Sequence, residues 1–268
     1  MKHKTLFTVV VCLIAATFLA PPIPQDPAYH VMADQRTMFG VPNAFDVLSN
    51  VAFLAVGAFG MLETERRLRG RWTRWPYLTF FGGTLLTALG STWYHLAPDN
   101  ASVVWDRLPI TIAFAALLTA VMAERVSERI ARNIFAPLVI GGAISVFYWY
   151  ATELGGHGDL RPYALLQFGS LVVMLVVLLC YRDVQGGSVF LWCGLACYVA
   201  AKLFELADAP IYHALHVVSG HTLKHLAAAT GVGAVVLMLR ARAHQRRSPA
   251  DDAEQQPLPH EAMPAPDG

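Results

Sequence analysis

Long apolar runs alternate with short polar connections along most of the chain. Eight apolar segments can be delimited, at about 5–20, 44–62, 76–95, 105–123, 134–151, 161–181, 188–206 and 217–239. Most of them approach the roughly 20 residues that an α-helix needs to cross a bilayer. The pattern predicts an all-α fold, a polytopic membrane helix bundle, with the lipid bilayer as its surroundings.

The two ends of the chain differ from this helical core. "MKHK" followed by "TLFTVVVCLIAATFLA" has the basic start and apolar centre of a signal peptide, whereas Phe18 and the Pro21–Pro22 pair fit a cleavage site poorly. We expect residues 1–21 to form an uncleaved signal-anchor helix, with a cleaved signal peptide as the alternative. Residues 44–240 then form the core, and the polar, proline-rich residues 241–268 form a disordered tail.

Positive charge in the connections predicts the orientation of the bundle. "ETERRLRGRWTR", "ERVSERIAR" and "RARAHQRR" alternate with arginine-poor connections at 96–104, 152–160 and 207–216. Lys and Arg accumulate on the cytoplasmic side of membrane proteins. We therefore expect a multi-pass integral membrane protein with both termini in the cytoplasm and residues 22–43 as an extracytoplasmic segment.

Composition agrees with a membrane protein and excludes other classes. Hydrophobic residues make up 55% of the chain and charged residues 15%, whereas soluble proteins average about 25% charged. The net charge of +1, without a basic stripe interleaved with aromatic residues, excludes nucleic acid as a partner. The chain also lacks the paired, glycine- or proline-broken helices of a two-halved transporter, and nothing in the sequence specifies an oligomeric state.

Polar residues at the ends of apolar segments are the candidates for chemistry. Ser91 and His95 lie one helical turn apart at the end of the third segment, and Asp106 opens the fourth. His221 and His225 begin the eighth segment with the i, i+4 spacing that lets two imidazoles chelate one ion. The orientation above places all five near the outer ends of their helices. An ionisable group inside a membrane costs about 2.5–3.5 kcal/mol and usually serves a function.

Three histidines with one open coordination position are typical of a hydrolytic zinc site. The sequence thus predicts zinc bound by His95, His221 and His225. Asp106 would take a proton from the attacking water, and Ser91 would donate a hydrogen bond to a developing oxyanion. Each residue also has a simpler interpretation: interfacial histidines bonded to backbone, a small helix-packing serine, and an aspartate that favours the helix dipole.

These residues carry a resemblance to a known family. "STWYH", "DRLP" and "HTLKH", together with "NAFDVLSN" at 43–50, resemble the alkaline ceramidase family, one of the seven-helix membrane hydrolases that also include the adiponectin-type receptors. The resemblance covers roughly residues 28–240. It implies a seven-helix core plus one extra N-terminal helix, formed by the first apolar segment.

The resemblance also implies an activity. Zinc held by His95, His221 and His225, with Asp106 and Ser91 beside it, would hydrolyse the N-acyl amide of ceramide or a related long-chain lipid to a sphingoid base and a fatty acid. Two alternatives remain open. The same zinc chemistry cleaves esters, which would make the protein an ester lipase, and the same scaffold serves receptors and signalling proteins.

The chain departs from the family at a second site. Eukaryotic members have an acidic calcium site before the first core helix, but Asn43 stands here where a family glutamate aligns, and residues 29–40 are poor in acids. Asp34 and Asp46 remain candidate calcium ligands, with a loop residue and a capping group as the alternatives. Lys202 and Glu205, at i, i+3 spacing, are expected to form an ion pair or to line the lipid cavity.

Overall fold

The computed structural model describes residues 1–245 and shows an all-α bundle over that range. The predicted disordered tail falls mostly on residues 246–268, which lie outside the described residues, while residues 241–245 continue the last helix. The helices are α1 Lys2–Leu19, α2 Ala44–Ser49, α3 Val51–Arg67, α4 Arg74–Leu96, α5 Asn100–Arg125, α6 Glu128–Leu154, α7 Arg161–Cys180 with a π-helical turn at Leu165–Gly169, α8 Ser188–Leu206, α9 Asp208–Leu215 and α10 Gly220–Gln245.

Seven of the described helical segments are long and apolar enough to cross a membrane. They are α1, α2 with α3, α5, α6, α7, α8 and α10. The helix α4 has 23 residues and the length to span a bilayer, but its glycines, threonines and aromatic residues make it less apolar than the others. It is shielded by α3 and α5, which pack on either side of it. The multi-pass, all-α prediction is therefore confirmed.

The start of α5 differs from the prediction. Asp99 accepts a hydrogen bond from the backbone N–H of Ser102, and the Ser102 hydroxyl accepts one from the Asp99 N–H, so that the pair forms a capping box. This cap starts the helix at Asn100. The prediction that Asp106 opens the helix is wrong, because Asp106 lies nearly two turns inside it, where a favourable interaction with the helix dipole has faded.

The helices enclose one long cavity. α10 packs against α8 and α3, α3 against α4, and α5 against α4, α6 and α7, while α1 lies outside α7. α8 packs extensively on α10 but makes little contact with α7. The space between α7 and α8 is therefore available for a cavity that reaches into the centre of the bundle.

The connection between α1 and α2 crosses one end of the bundle. Its 3₁₀ turn Pro27–His30 places the His30 ring between the Tyr94 hydroxyl, at 3.0 Å, and the Asn100 side chain, at 2.9 Å. Further along, the Ala33 N–H donates to the Asp208 carboxylate at 3.1 Å. These bonds tie the connection to α4, α5 and α9, so it covers the ends of the helices that carry the candidate site.

Candidate metal centre

The three predicted histidine ligands meet in the interior. His95 lies in the last turn of α4, and His221 and His225 lie in the first two turns of α10. The ring centroids are 4.7 Å apart for His95 and His221, 5.1 Å for His95 and His225, and 4.9 Å for His221 and His225. One nitrogen from each ring lies within 4.8 Å of the other two. The group could therefore bind one metal ion.

Two glycines allow the helices to approach closely enough for this meeting. At Gly90, one turn before His95 and Tyr94, an added Cβ would overlap the carbonyl oxygen of Trp105 on α5. At Gly220, the residue before His221, an added Cβ would overlap the carbonyl oxygen of Phe204 on α8. Close helix contact at small residues is common in membrane bundles, and here it sets the position of the histidines.

Polar neighbours hold two of the histidines in place. The Ser49 hydroxyl donates to the Asp46 carbonyl oxygen at 2.8 Å and lies 2.7 Å from Nδ1 of His225. Because the hydroxyl hydrogen is already donated, Nδ1 must carry the proton in this bond, which leaves the lone pair of Nε2 for a metal. The backbone N–H of His221 donates to the Asp208 carboxylate at 2.7 Å. These bonds orient α10 and its two ligands.

The remaining ring nitrogens fit a metal site. Both nitrogens of His95 and Nε2 of His221 are buried without a hydrogen-bond partner among the described residues. Leaving a buried polar atom unpaired costs about 1–3 kcal/mol, so such atoms in native structures require an explanation. A bound cation supplies the missing partner for a lone pair on each ring. His95, His221 and His225 are 1%, 6% and 3% exposed. The three rings are therefore shielded from solvent.

Asp106 and Ser91 line the same cavity as His225. The Ser91 hydroxyl is buried and has no partner at hydrogen-bonding geometry in the described chain, although it interacts with the Asp106 carboxyl. Asp106 is buried too, and within residues 1–243 it forms no ion pair with a basic side chain. The structure thus groups the three predicted histidines and places Ser91 and Asp106 in the lining of the cavity that His225 also lines.

A search of protein-family models and of curated protein sequences finds no match to this chain. The chemistry of the centre must therefore be inferred from its own residues. Three imidazoles form one group, a carboxylate and a hydroxyl line the cavity that His225 enters, and each of the five side chains is buried. A metal, a proton acceptor and a hydrogen-bond donor are what an acyl-transfer or hydrolytic site requires.

An apolar cavity of about 320 Å³ begins at this centre. Ser91, Asp106 and His225 line one end of it, and the lining continues along α10 as far as Val235. The ten-residue separation between His225 and Val235 corresponds to about 15 Å of helix. The side chains along that length are mostly apolar: Phe80, Phe114, Leu117, Leu171, Met174, Leu191, Val232 and Val235. The cavity has the shape and polarity to receive an alkyl chain with its polar end at the histidines.

The two candidate calcium ligands have other partners. The Asp46 carboxylate accepts hydrogen bonds from the Thr222 hydroxyl at 2.6 Å and from the Ser219 hydroxyl at 3.3 Å, so it braces the start of α10. Asp34 forms an ion pair with Arg36 at 2.6 Å. Burial acts to raise the pKa of Asp34, but the hydrogen bonds and charge of Arg36 outweigh it and hold that pKa below its usual value. Among the described residues, the three histidines are the group that geometry makes a candidate metal centre.

Besides Lys202 and Glu205, for which an ion pair or a place in the cavity lining was predicted, the centre contains residues that were not predicted as functional. Lys202 and Glu205 form the predicted ion pair, and both also line the cavity. Lys224, between the two histidines of α10, donates to the same Glu205 carboxylate at 3.1 Å. Arg107 and Ser49 are the other residues near the centre that were not predicted as functional. The sequence does contain a signal for Lys224 and Arg107, because each is a charged residue inside an apolar segment. Each is adjacent to a residue with a more obvious role, His225 and Asp106 respectively.

Proposed function

We propose that this protein is a membrane-embedded zinc-dependent amidohydrolase, similar to a ceramidase, that cleaves the N-acyl amide of ceramide or a related long-chain lipid. The observation that carries the proposal is the convergence of His95, His221 and His225, one of which shares a cavity lining with Asp106 and Ser91. This convergence lies at the polar end of an apolar cavity. The resemblance of "STWYH", "DRLP" and "HTLKH" to the alkaline ceramidases supports the same function.

Zinc is the metal that the ligand set favours. Three neutral imidazoles without a thiolate, and without a carboxylate in the ligand group, match catalytic zinc sites that keep one position open. His95, His221 and His225 would hold the ion, with Ser49 fixing the ring of His225. When bound, zinc supplies Lewis acidity, which polarises a carbonyl oxygen and makes water a stronger nucleophile near neutral pH.

The protein's own groups account for the proton transfers. Asp106 takes a proton from the attacking water and passes it to the leaving nitrogen, so that the amide C–N bond breaks as a C–O bond forms. Ser91 donates a hydrogen bond to the oxygen that becomes negative in the transition state. A positioned acid or base contributes about 10²–10⁴-fold in rate, and one oxyanion donor about 10²–10³-fold.

The position of the cavity fits a substrate drawn from the bilayer. The acyl chain would lie along the apolar wall towards Val235, which places the amide at the histidines and excludes water from the rest of the cavity. The sparse contact between α7 and α8 offers a path through which a lipid could move sideways. The arginine-rich connections would lie in the cytoplasm with both termini, which puts the metal centre near the extracytoplasmic face.

A metal analysis combined with a substrate panel tests the proposal. The purified protein should contain close to one zinc per chain and should release fatty acid from lipid amides. Asp106→Asn should keep the zinc and reduce hydrolysis by at least about 10²-fold. Asp26→Asn is the matched control, because Asp26 caps a turn in the connection that covers the same end of the bundle but lies outside the cavity lining.

The panel also separates the alternatives. Ceramides, N-acyl amino acids and phospholipids should be offered side by side with labelled acyl groups. Release from the phospholipids alone would make the protein an ester lipase. Zinc binding without hydrolysis of any lipid would contradict the enzyme assignment and favour a receptor or signalling protein on this scaffold, and unchanged turnover in Asp106→Asn would refute the assigned base.

A further inference from the structure

One face of α8 presents charge to the cavity beside the metal centre. Tyr198, Lys202 and Glu205 are spaced i, i+4 and i+7, so they share a face of the helix, and all three line the cavity. Lys224 reaches the same place from α10. We call Lys202, Glu205 and Lys224 the lysine cluster. Its members have side-chain exposures of 37%, 16% and 17%, so two of the three charges are largely removed from solvent.

The lysine cluster carries more positive than negative charge. Glu205 forms ion pairs with both Lys202 and Lys224, so one carboxylate balances two ammonium groups. No other carboxylate forms an ion pair with either lysine among the described residues. A buried charge without a partner is strongly unfavourable, and an ionisable group in a membrane interior usually marks a functional site. The cluster therefore has the charge to bind one anion.

The other charges that line the cavity do not remove this excess. Arg107 is the third basic residue, and its guanidinium is enclosed by aromatic rings, 4.4 Å from the Trp149 centroid, 5.1 Å from that of Tyr163 and 5.2 Å from that of Tyr29. Such cation–π contacts stabilise a buried cation in place. Asp106, the second acid of the cavity, interacts electrostatically with Lys224 and Arg107 but lies beyond ion-pair distance of every described basic side chain, so three basic groups still face two acids in the lining.

A neutral donor adds to the lysine cluster. The Tyr198 hydroxyl is buried and makes no hydrogen bond of normal geometry with any described residue, although the Gln167 side chain is close enough to interact with it. Tyr198 lies one turn from Lys202 on the cavity face of α8. An oxygen-bearing group bound between the lysines would therefore also lie near an unused hydroxyl donor.

We propose that the lysine cluster binds an anionic group, a carboxylate or a phosphate, on the amine side of a long-chain lipid amide. The preferred substrates would then be acidic lipid amides instead of neutral ceramides. This inference rests on the proposed function and specifies its substrate class. With the acyl chain along α10 towards Val235, the amine half of the substrate must extend in the opposite direction, where Lys224 lies between the two histidines of α10. Lysine ammonium groups bind carboxylate and phosphate as point charges.

Matched pairs of amides test the charge preference. N-palmitoyl-serine and N-palmitoyl-serinol differ only in a carboxylate that is replaced by a hydroxymethyl group, and ceramide 1-phosphate and ceramide form a second pair. The wild-type protein should favour the anionic member of at least one pair by about tenfold or more in kcat/KM, which is about 1.4 kcal/mol. The pair that shows the preference tells carboxylate from phosphate.

Variants assign the preference to the lysine cluster. Lys202→Met and Lys224→Met should each lower the ratio of anionic to neutral turnover, and the double variant should bring it close to one. The ratio cancels any general loss of activity, and the zinc content is measured in each variant because Lys224 is adjacent to His225. Lys4→Met, on α1 outside the cavity lining, is the control and should leave the ratio unchanged.

A binding measurement separates the failure of this inference from the failure of the proposed function. The 3-O-hexadecyl ether of glyceric acid and the 1-O-hexadecyl ether of glycerol contain no amide, and the acid should bind at least about tenfold more tightly. Preferential binding without hydrolysis of any amide would overturn the hydrolase and keep the anion site. Equal kcat/KM and equal binding for the charged and neutral members would overturn the anion site, as would a preference that survives in the double variant with its zinc retained.

Discussion

The two ends of the bundle treat buried charge in different ways. At the end where the arginine-rich connections lie, the Glu124 carboxylate accepts hydrogen bonds from the Tyr77 hydroxyl at 2.9 Å and from Nη1 of Arg242 at 3.0 Å. Asp183 forms an ion pair with Arg125 at 3.1 Å and accepts a hydrogen bond from the Ser188 hydroxyl. Each buried acid at this arginine-rich end has a basic partner that satisfies it.

The metal-centre end leaves several buried polar atoms unpaired. Both nitrogens of His95 and Nε2 of His221 have no hydrogen-bond partner among the described residues, and the Ser91 hydroxyl makes no hydrogen bond of normal geometry there. Asp106 is buried without an ion pair there. These atoms lie at the head of a cavity, whereas the ion pairs of the arginine-rich end close their helices together. The ion pairs of the arginine-rich end therefore contribute to stability, whereas the unpaired atoms of the metal-centre end could bind a ligand from outside the chain.

The largest expected effect comes from removing the ligands at the metal-centre end. A His221→Ala, His225→Ala double variant leaves one of three imidazoles, so nearly all zinc should be lost. Hydrolysis should then fall by at least about 10⁴-fold, because the Lewis acid is worth several kcal/mol to the transition state. Metal analysis by mass spectrometry and the lipid-amide assay measure the two effects.

A second pair of histidines provides the matched control. His213 and His216 lie at the same end, in and just after α9, and outside the cavity lining. A His213→Ala, His216→Ala double variant should keep both zinc and activity within about twofold. Equal zinc loss in the two double variants would show that the ion is not held at the centre described above.

The next largest effect is a loss of stability at the arginine-rich end. Glu124→Gln removes the charge that balances Arg242 while keeping the size of the side chain. Leaving one buried partner of an ion pair uncompensated costs about 3–5 kcal/mol, so the free energy of unfolding in mixed micelles should fall by that amount. The zinc content should not change, because the variant lies at the opposite end of α5 from Asp106.

An exposed ion pair at the same end serves as the control for the loss of unfolding free energy in Glu124→Gln. Glu128 and Arg132 form an i, i+4 pair in which both side chains are about half exposed, at 50% and 54%. Such surface pairs contribute about 0–1 kcal/mol, so Glu128→Gln should change the unfolding free energy little. A similar loss in both variants would contradict the distinction between a buried stabilising pair and a solvated one.

Metal affinity should respond less strongly to the bond that orients a ligand. Ser49→Ala removes the acceptor of the Nδ1–H of His225, and loss of such a partner typically costs 10–100-fold in metal affinity. Competition with a zinc chelator measures the change. Ser145→Ala serves as the control, since Ser145 is also buried but donates to the Gly142 carbonyl oxygen within α6, and its affinity should remain at the wild-type value.

Much of the fold followed from the sequence because the bilayer imposes a simple rule. Each spanning segment must satisfy its backbone internally, so apolar length alone indicates a helix. The boundaries were less predictable, as the capping box of Asp99 and Ser102 shows. Two polar side chains moved the start of α5 back to Asn100 and carried Asp106 into the helix interior.

The candidate site likewise contains a part that could be predicted from the sequence and a part that could not. The i, i+4 spacing of His221 and His225 and the turn from Ser91 to His95 are local patterns, and the structure brings all four residues together. The pairing of Lys224 with Glu205 depends on the packing of α8 against α10, which no local pattern encodes. A charge inside an apolar segment indicates that a partner exists, but only the three-dimensional structure identifies that partner.

The smallest expected effect concerns Asp34, a carboxylate at the metal-centre end that does form an ion pair. Arg36 holds the pKa of Asp34 below its usual value despite the burial that acts to raise it. A carboxyl group with a lower pKa in the folded state stabilises the fold fully at pH values above its unfolded pKa, near 3.9. That contribution is lost as the pH falls through the folded pKa, so stability linked to Asp34 should decline below about pH 4.

The Asp34→Asn variant isolates this contribution. Arg36 is partly exposed, at 38%, so solvent weakens the pair, and the variant should lose only about 1 kcal/mol at pH 6. Unfolding free energies measured in micelles from pH 6 to pH 3 should converge for the two proteins at the acid end, because protonation removes the same charge as the substitution. A difference that stays constant over the whole range would show that Asp34 acts through hydrogen bonds that do not need its charge. The pair would then hold the covering connection in place without a contribution from ionisation.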